Sequence, residues 1–351
     1  MMMWDAIVIG GSFAGLSAAM QLARGQRSVL LIDAGEPRNR FATASHGFFA
    51  ADGMAPAELQ GRAWQQLLAY PSVTFRQSRV QSAQKHSAGF SVTDEVGQQY
   101  QTKVLILATG LVDTLPDIDG LKPRWGKSVI HCPYCHGYEY RQQPIAVIAN
   151  GAASVHQASI LPDWGPVTYF SQSRFLPDPE QQAVLQKRGV AVEHTAVVAI
   201  LGEADGVSAV KLTDGREIAT GVVYVASETS FGHSLVQQLG CELEQGPTGA
   251  YVKTDAMQQS SVSGVFVAGD MAAPMHNAML AADPRLTVEV LQEQAYYSAQ
   301  TGQFRAMVSV LAGVVSARAG FSFLLVFLLA GVLAGEDGPG GLVFNDFKLS
   351  F

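Results

Sequence analysis

Cys132-Pro133-Tyr134-Cys135 sets two thiols at the spacing that, at the start of a helix, closes a strained and reducible disulfide. The helix terminus also favours the thiolate, which is the nucleophilic form. His136 follows directly and, with an ordinary pKa near neutrality, is placed to move a proton at the pair. A solvated loop histidine is the plainer reading of that residue. Zinc would need two further ligands; Cys241 is distant, and His131 and His136, so close to the pair in sequence, rarely converge on one tetrahedral centre with it. No metal is therefore expected, and Cys241 reads as a small buried apolar residue.

The second constellation is Gly10-Gly11-Ser12-Phe13-Ala14-Gly15. Between a strand and a helix, glycines let backbone approach a pyrophosphate, and the helix N-terminus supplies N–H groups and a positive dipole end. Ser12 replaces the middle glycine of G-x-G-x-x-G, so the turn alone is only moderately specific. Asp33 closes the next apolar strand, where an acid accepts hydrogen bonds from ribose hydroxyls.

The elements that must position these groups follow from the apolar pattern. Asp5–Gly10 reads as a strand, Ser12–Arg24 as a helix and Val29–Asp33 as a second strand, which makes one βαβ unit. Lys103–Ala108 is another buried strand, closed by Thr109-Gly110. Pro116, Pro123 and two glycines within Asp113–Trp125 mark a domain boundary. A second unit starts at Ile145–Ala149, turns at Gly151, and continues through a helix near Ser154–Leu161 to a strand at Val167–Phe170. Val197–Ile200 and Val207–Leu212 read as hairpin strands and Val222–Ala226 as a strand. Gly246–Gly249 reads as the return linker, and Val265–Ala268 as a strand ending in Gly269-Asp270. The expected architecture is α/β: two Rossmann-like nucleotide-binding domains, the second inserted into the first. The expected divisions are 1–115 and 247–302 for the first domain, 116–246 for the inserted one, and 303–351 for an apolar tail.

Composition narrows the class. At 48% hydrophobic and 15% charged the chain is not intrinsically disordered, and a net charge of −7 argues against a nucleic-acid partner. The first residues lack the basic n-region and cleavage site of a signal peptide, so a cytoplasmic protein is expected. Ala319–Gly335 is an uncharged stretch at the lower limit of a membrane span. A buried terminal helix or an oligomer contact is one reading of it. Association with a membrane surface is the other.

Taken together, Ile9–Gly15 with Asp33, Leu107-Ala108-Thr109-Gly110, the CPYC pair and Gly264-Val265-Phe266-Val267-Ala268-Gly269-Asp270 resemble the low-molecular-weight thioredoxin reductases, FAD-dependent disulfide oxidoreductases, over about residues 3–282. The resemblance implies FAD in the split first domain, contacted by Gly10, Ser12, Phe13, Ala14, Gly15, Asp33, Thr109, Gly110, Gly269, Asp270 and Asn277. It implies a nucleotide turn at Gly151 and catalysis by Cys132, Cys135 and His136. In the family pattern Cys135 faces the flavin and Cys132 attacks the external partner, a thioredoxin-like protein or a small dithiol. A homodimer is the expected assembly.

The departures from that pattern bear on the electron donor. NADPH-using members carry a G-G-G-D-S-A type turn where this chain has Ala149-Asn150-Gly151-Ala152-Ala153-Ser154. They also carry arginines on the 2′-phosphate where it has Ser171-Gln172-Ser173 followed by Arg174. Planar phosphate recognition needs paired cations. His136 stands where the family has an acid, and His276-Asn277 where it has Arg-Gln. The expected function is electron exchange between FAD and the Cys132/Cys135 pair without NADPH, with a second FAD in the nicotinamide site as a narrower form. A conventional NAD(P)H-dependent reductase and a non-catalytic flavin-binding redox sensor are the alternatives. Beyond Ala282 the resemblance lapses at Asp283-Pro284, since proline interrupts a helix.

Overall fold

Strands buried on both faces read as continuous apolar runs, because a parallel sheet is covered by helices on each side. A computed structural model describes residues 2–272 except Phe49, Ala152 and Pro247. Strand β1 (Met3–Ile9) leads into helix α1 (Phe13–Arg24) and β2 (Val29–Asp33). The helix buries Leu16, Ala18, Ala19, Leu22 and Ala23 on its sheet-facing stripe, and Arg24 in its last turn suits the negative dipole end. Next come α2 (Pro56–Leu68), β3 (Val73–Gln77), the hairpin β4 (Val80–His86) and β5 (Gly89–Asp94), and β6 (Gln99–Leu107).

Strand β7 (Val112–Thr114) crosses to the inserted domain. There β8 (Val129–Ile130) runs into the short helix α3 (Pro133–His136), followed by β9 (Ile145–Ile148), α4 (Ala153–Ile160), β10 (Val167–Phe170), α5 (Pro179–Lys187) and β11 (Ala191–Glu193). A three-stranded antiparallel sheet, β12 (Val197–Leu201), β13 (Ala209–Leu212) and β14 (Glu217–Ala219), precedes β15 (Val222–Val225). The chain returns through β16 (Glu228–Ser230), antiparallel to β7, into α6 (Leu235–Leu239), the hairpin β17 (Leu243–Gln245) and β18 (Ala250–Val252), and β19 (Val265–Val267).

Two sheets result. The first has seven strands in the order β3-β2-β1-β6-β5-β4, with β19 on β6. Strand β6 serves two partners on one edge: Gln99–Thr102 pairs antiparallel with β5 and Leu105–Leu107 parallel with β19. The second sheet is parallel, in the order β11-β10-β9-β15-β8. Thioredoxin reductase-like organisation, with two Rossmann-like cores and one inserted in the other, is therefore the fold.

One expected boundary moves. The crossings are β7 and β16, paired to each other, so the insertion ends near Ser227 and not at Gly246–Gly249. Leu235, Val236, Leu239 and Cys241, expected in the inserted domain, pack in the first sheet's core with Ile7, Phe90 and Val265. Gly246 and Gly249 instead lie between the paired strands β17 and β18 and are hydrogen-bonded to each other. Glycine and proline punctuation misplaced the return because a linker formed as a strand carries neither. The Asn277 expectation and the tail, 303–351, lie outside the described residues. No helix among the described residues is long and apolar enough to cross a membrane.

Candidate active site

The turn after β1 is built by close approach. A Cβ on Gly15 would sit 1.8 Å from the Gly10 carbonyl oxygen, and one on Gly10 (φ +103°) 2.2 Å from that of Ala108. Glycine at both positions lets α1 start directly against β6. Ser12, in place of the middle glycine, has φ −92°, a conformation open to any residue, so the substitution carries no strain. Ser12 makes no side-chain cap, which leaves the first-turn amides of α1 for a ligand. Asp33 accepts from the Gly11 N–H at 2.7 Å and the Gly35 N–H at 3.0 Å, which fixes its carboxylate beside the turn with lone pairs to spare. Gly269 (φ +76°) brings the segment after β19 against Ala14. These residues fit the pyrophosphate and ribose of a dinucleotide such as FAD. Phe13 opens α1 and lies near Phe48, with ring centroids 6.3 Å apart.

Thr109 and Gly110 close β6. Thr109 Oγ1 meets His233 Nε2 at 2.5 Å and donates to Met271 Sδ at 2.9 Å, while His233 Nδ1 accepts the Leu235 N–H. Gly110 (φ +68°) faces open space.

A charged cluster that the sequence reading missed joins the halves. Arg38 donates to Asp113 on β7 and to Asp270 after β19, and Ser227 Oγ donates to Asp113 at 2.6 Å. Burial alone would raise Asp113, but the Arg38 guanidinium, Ser227 and His131 outweigh it and hold its carboxyl below the usual value. His131, stacked on Trp125 with ring centroids 5.8 Å apart, is pushed down to about 4, by desolvation first and then by Arg38. Nothing in Arg38-Asn39-Arg40 separates it from a solvated charge run; only the fold brings it to Asp113.

The cysteines follow β8 of the inserted sheet directly. Cys132 is the N-cap of α3 and Cys135 lies within it. Both are free thiols, hydrogen-bonded to each other. The Cys135 S–H, with the backbone N–H groups of Tyr134 and Cys135, lowers the Cys132 thiol against the opposing effect of burial. Cys132 and burial raise Cys135 in turn.

His136 is half-buried and its pKa is lowered, by burial first and by His46 second. His46, from the first domain, meets the His136 ring edge-on at 6.1 Å, and its Nδ1 lies 3.6 Å from both Glu139 and Asp52. The segment that follows the cysteines thus rests against the first domain. The sequence offered no spacing that would link His46 to it. Among the described residues no three His, Cys, Asp or Glu side chains cluster as metal ligands.

Gly151 belongs to a separate cleft of about 320 Å³, lined with Asn150, Ala226–Thr229, Thr248 and Gly249. At the positions of the 2′-phosphate clamp, Gln172 exchanges two hydrogen bonds with the Val197 backbone and Ser173 Oγ donates to the His194 carbonyl. Ser171 is fully buried on His194 Nδ1, and Arg174 lies over the Phe175 ring.

Residues 4–296 match the pyridine nucleotide-disulphide oxidoreductase family. The chain is 32% identical over 284 residues to thioredoxin reductase tcpT of Claviceps purpurea, covering 78% of this chain and 88% of that one. It is 30% identical over 296 residues to thioredoxin reductase sirT of Leptosphaeria maculans, covering 79% and 90%. Among solved structures, an oxidoreductase from Agrobacterium tumefaciens superposes with a TM-score of 0.77 at 40% identity, covering 91% of this chain and all of that one.

Proposed function

Because the chain belongs to the pyridine nucleotide-disulphide oxidoreductases, in their thioredoxin reductase-like branch, we propose that it oxidises a dithiol through Cys132/Cys135 and FAD without a nicotinamide nucleotide. The observation that carries this reading is the commitment of Ser171, Gln172 and Ser173 to the backbone and ring of the β11–β12 segment, which leaves no cation pair for a 2′-phosphate. Glu228 on the neighbouring cleft adds a like charge against a pyrophosphate.

A substrate thiolate attacks Cys132 Sγ of the disulfide form, and Cys135 leaves as a thiolate that takes up a proton. The second substrate thiol gives its proton to His136 and attacks the mixed disulfide, releasing Cys132. The substrate ends as a disulfide and the pair as two thiols, so two electrons and two protons have moved. Gly10, Ser12, Phe13, Ala14, Gly15, Asp33, Thr109, Gly110, Gly269 and Asp270 hold FAD, with Asn277 added from the sequence. The chemistry FAD supplies there is two-electron exchange with the thiol pair.

A thioredoxin-like protein or a small dithiol is the substrate. The names of the curated relatives favour the first, and would equally suit an NADPH-fed reductase. Homodimerisation and membrane-surface association through 303–351 accompany the reading on sequence grounds alone. The test is anaerobic mixing of holoenzyme with dithiothreitol, following flavin absorbance. Bleaching that requires both cysteines supports it; a flavin that dithiols leave oxidised overturns it. Released FAD of two per chain would mark the second-flavin form, and one per chain would exclude it.

A further inference from the structure

Tyr224 is fully buried on β15, and its hydroxyl has no hydrogen-bond partner among the described residues. So is the Gln157 Oε1, on a residue only 7% exposed. Such orphans are rare, and each calls for an occupant or a task. These two share a neighbourhood. Tyr224 pairs in register with Ile130, two residues before Cys132, and packs in the apolar cluster under α4. Gln157 reaches from α4 across to β8, where its Nε2 donates to the His131 carbonyl at 2.6 Å, next to Cys132. The charged and titratable groups acting on the Tyr224 hydroxyl are Cys132, Cys135, Tyr140 and Glu139.

The two orphans are complementary, one donor and one acceptor. A water between them would accept from Tyr224 Oη, donate to Gln157 Oε1 and keep one hydrogen for a third partner. That meets the two to four polar contacts an internal water needs. We propose that Tyr224 and Gln157 form a buried water seat behind the Cys132/Cys135 pair, through which a hydrogen bond reaches the thiolate once the disulfide opens. Tyr224 is then a positioning residue: it acts on the sulfur through the water and stabilises the charged form. This rests on Cys132/Cys135 being the redox pair.

The test uses FAD-loaded enzyme reduced with dithiothreitol and desalted anaerobically. The pH dependence of iodoacetamide alkylation at Cys132 and Cys135 is read by mass spectrometry in wild type and Tyr224→Phe. The variant should raise the thiolate midpoint by about half a pH unit, roughly threefold less thiolate below the midpoint. Its thermal midpoint should stay or rise, because the lost hydroxyl has no protein partner. A purely packing role leaves the alkylation profile unchanged, and that result overturns the proposal. A crystal structure of the holoenzyme supplies a second reading: a water within hydrogen-bond distance of both Tyr224 Oη and Gln157 Oε1 supports the seat, and a dry site overturns it. Failure of wild type to cycle its disulfide in turnover would remove the proposed function, while the alkylation midpoints would still report on Tyr224.

Discussion

Arg38 grips Asp113 at two points, Nε to Oδ2 at 2.8 Å and Nη2 to Oδ1 at 2.5 Å, and turns Nη1 to Asp270 at 2.8 Å. Ser227 on the return crossing shares the same carboxylate. One guanidinium therefore ties the outgoing crossing to the segment after β19, and Ser227, beside β16, joins it through the same carboxylate at the hinge between the two domains.

Arg38→Met should expose that dependence. The Asp113 side chain is 9% exposed and the Arg38 side chain 23%, so the change strands a nearly buried carboxylate. Removing one partner of such a pair costs about 3 kcal/mol, at the low end for buried pairs. Calorimetry should show the midpoint lower by roughly 6–12 °C, given about 2–4 °C per kcal/mol. A midpoint within experimental scatter of wild type would mean that the hinge does not rely on Arg38.

Acid should find a second weak point at Asp5. Burial would raise its pKa, but the Ser28 N–H at 3.0 Å and Lys103 at 3.0 Å outweigh that and lower it to about 2. The folded value lies below the unfolded one near 3.9. The stabilisation is therefore fully present above about pH 5 and is lost as pH falls toward 2. It amounts to at most about 2.5 kcal/mol. Denaturant unfolding at pH 6 and pH 3 should show a steeper loss in wild type than in Asp5→Asn; equal losses would remove Asp5 from the account.

Gly15→Ala tests the nucleotide turn. The added Cβ would meet the Gly10 carbonyl oxygen at 1.8 Å, and backbone cannot swing aside as a side chain can. The strain is on the order of 3 kcal/mol, and FAD released per chain should fall to a small fraction of wild type. Gly61→Ala is the control, since nothing lies within 4 Å of the new methyl. It should be neutral or slightly stabilising. Full FAD content in Gly15→Ala would show that the turn is not where the cofactor is held.

What the sequence disclosed and what it hid divide along a physical line. Continuous runs such as Val29–Ile32 and Val222–Val225 announce buried strands, and the Gly10–Gly15 turn announces its own geometry, because both are local. The Cys132/Cys135 pair was legible for the same reason. Arg38 with Asp113, and His46 with Glu139, are contacts between segments far apart in the chain, and neither partner has a spacing that marks it. The return crossing was misplaced because β16, Glu228–Ser230, is a three-residue strand without a glycine or proline to betray it.

Nicotinamide preference is the next measurable consequence. With Ser171 buried, Gln172 and Ser173 on backbone and Arg174 over Phe175, this segment offers a 2′-phosphate no pair of cations, and the proposed function rests on that. Anaerobic stopped-flow mixing should show slow flavin reduction or none with either nucleotide, and no gain for NADPH over NADH. Bleaching by NADPH at least tenfold faster than by NADH would restore the conventional reductase reading.

The roles of the two sulfurs can be separated by single substitutions. In the reduced protein the Cys135 S–H donates to Cys132, which lowers Cys132 and raises Cys135. Cys132→Ser removes the largest cause of the raised Cys135 pKa, so the remaining thiol ionises more readily. If Cys135 is the sulfur facing the flavin, a long-wavelength charge-transfer absorbance should appear in that variant and grow with pH. Cys135→Ser leaves only Cys132, which in this reading faces away from the flavin, and the band should be absent. The same pair of variants should differ in trapping. Cys135→Ser should accumulate a mixed disulfide with a dithiol substrate at Cys132, since no second thiol is left to resolve it. Cys132→Ser should form little, because its one thiol sits on the cofactor side. A charge-transfer band in Cys135→Ser and none in Cys132→Ser would exchange the two roles.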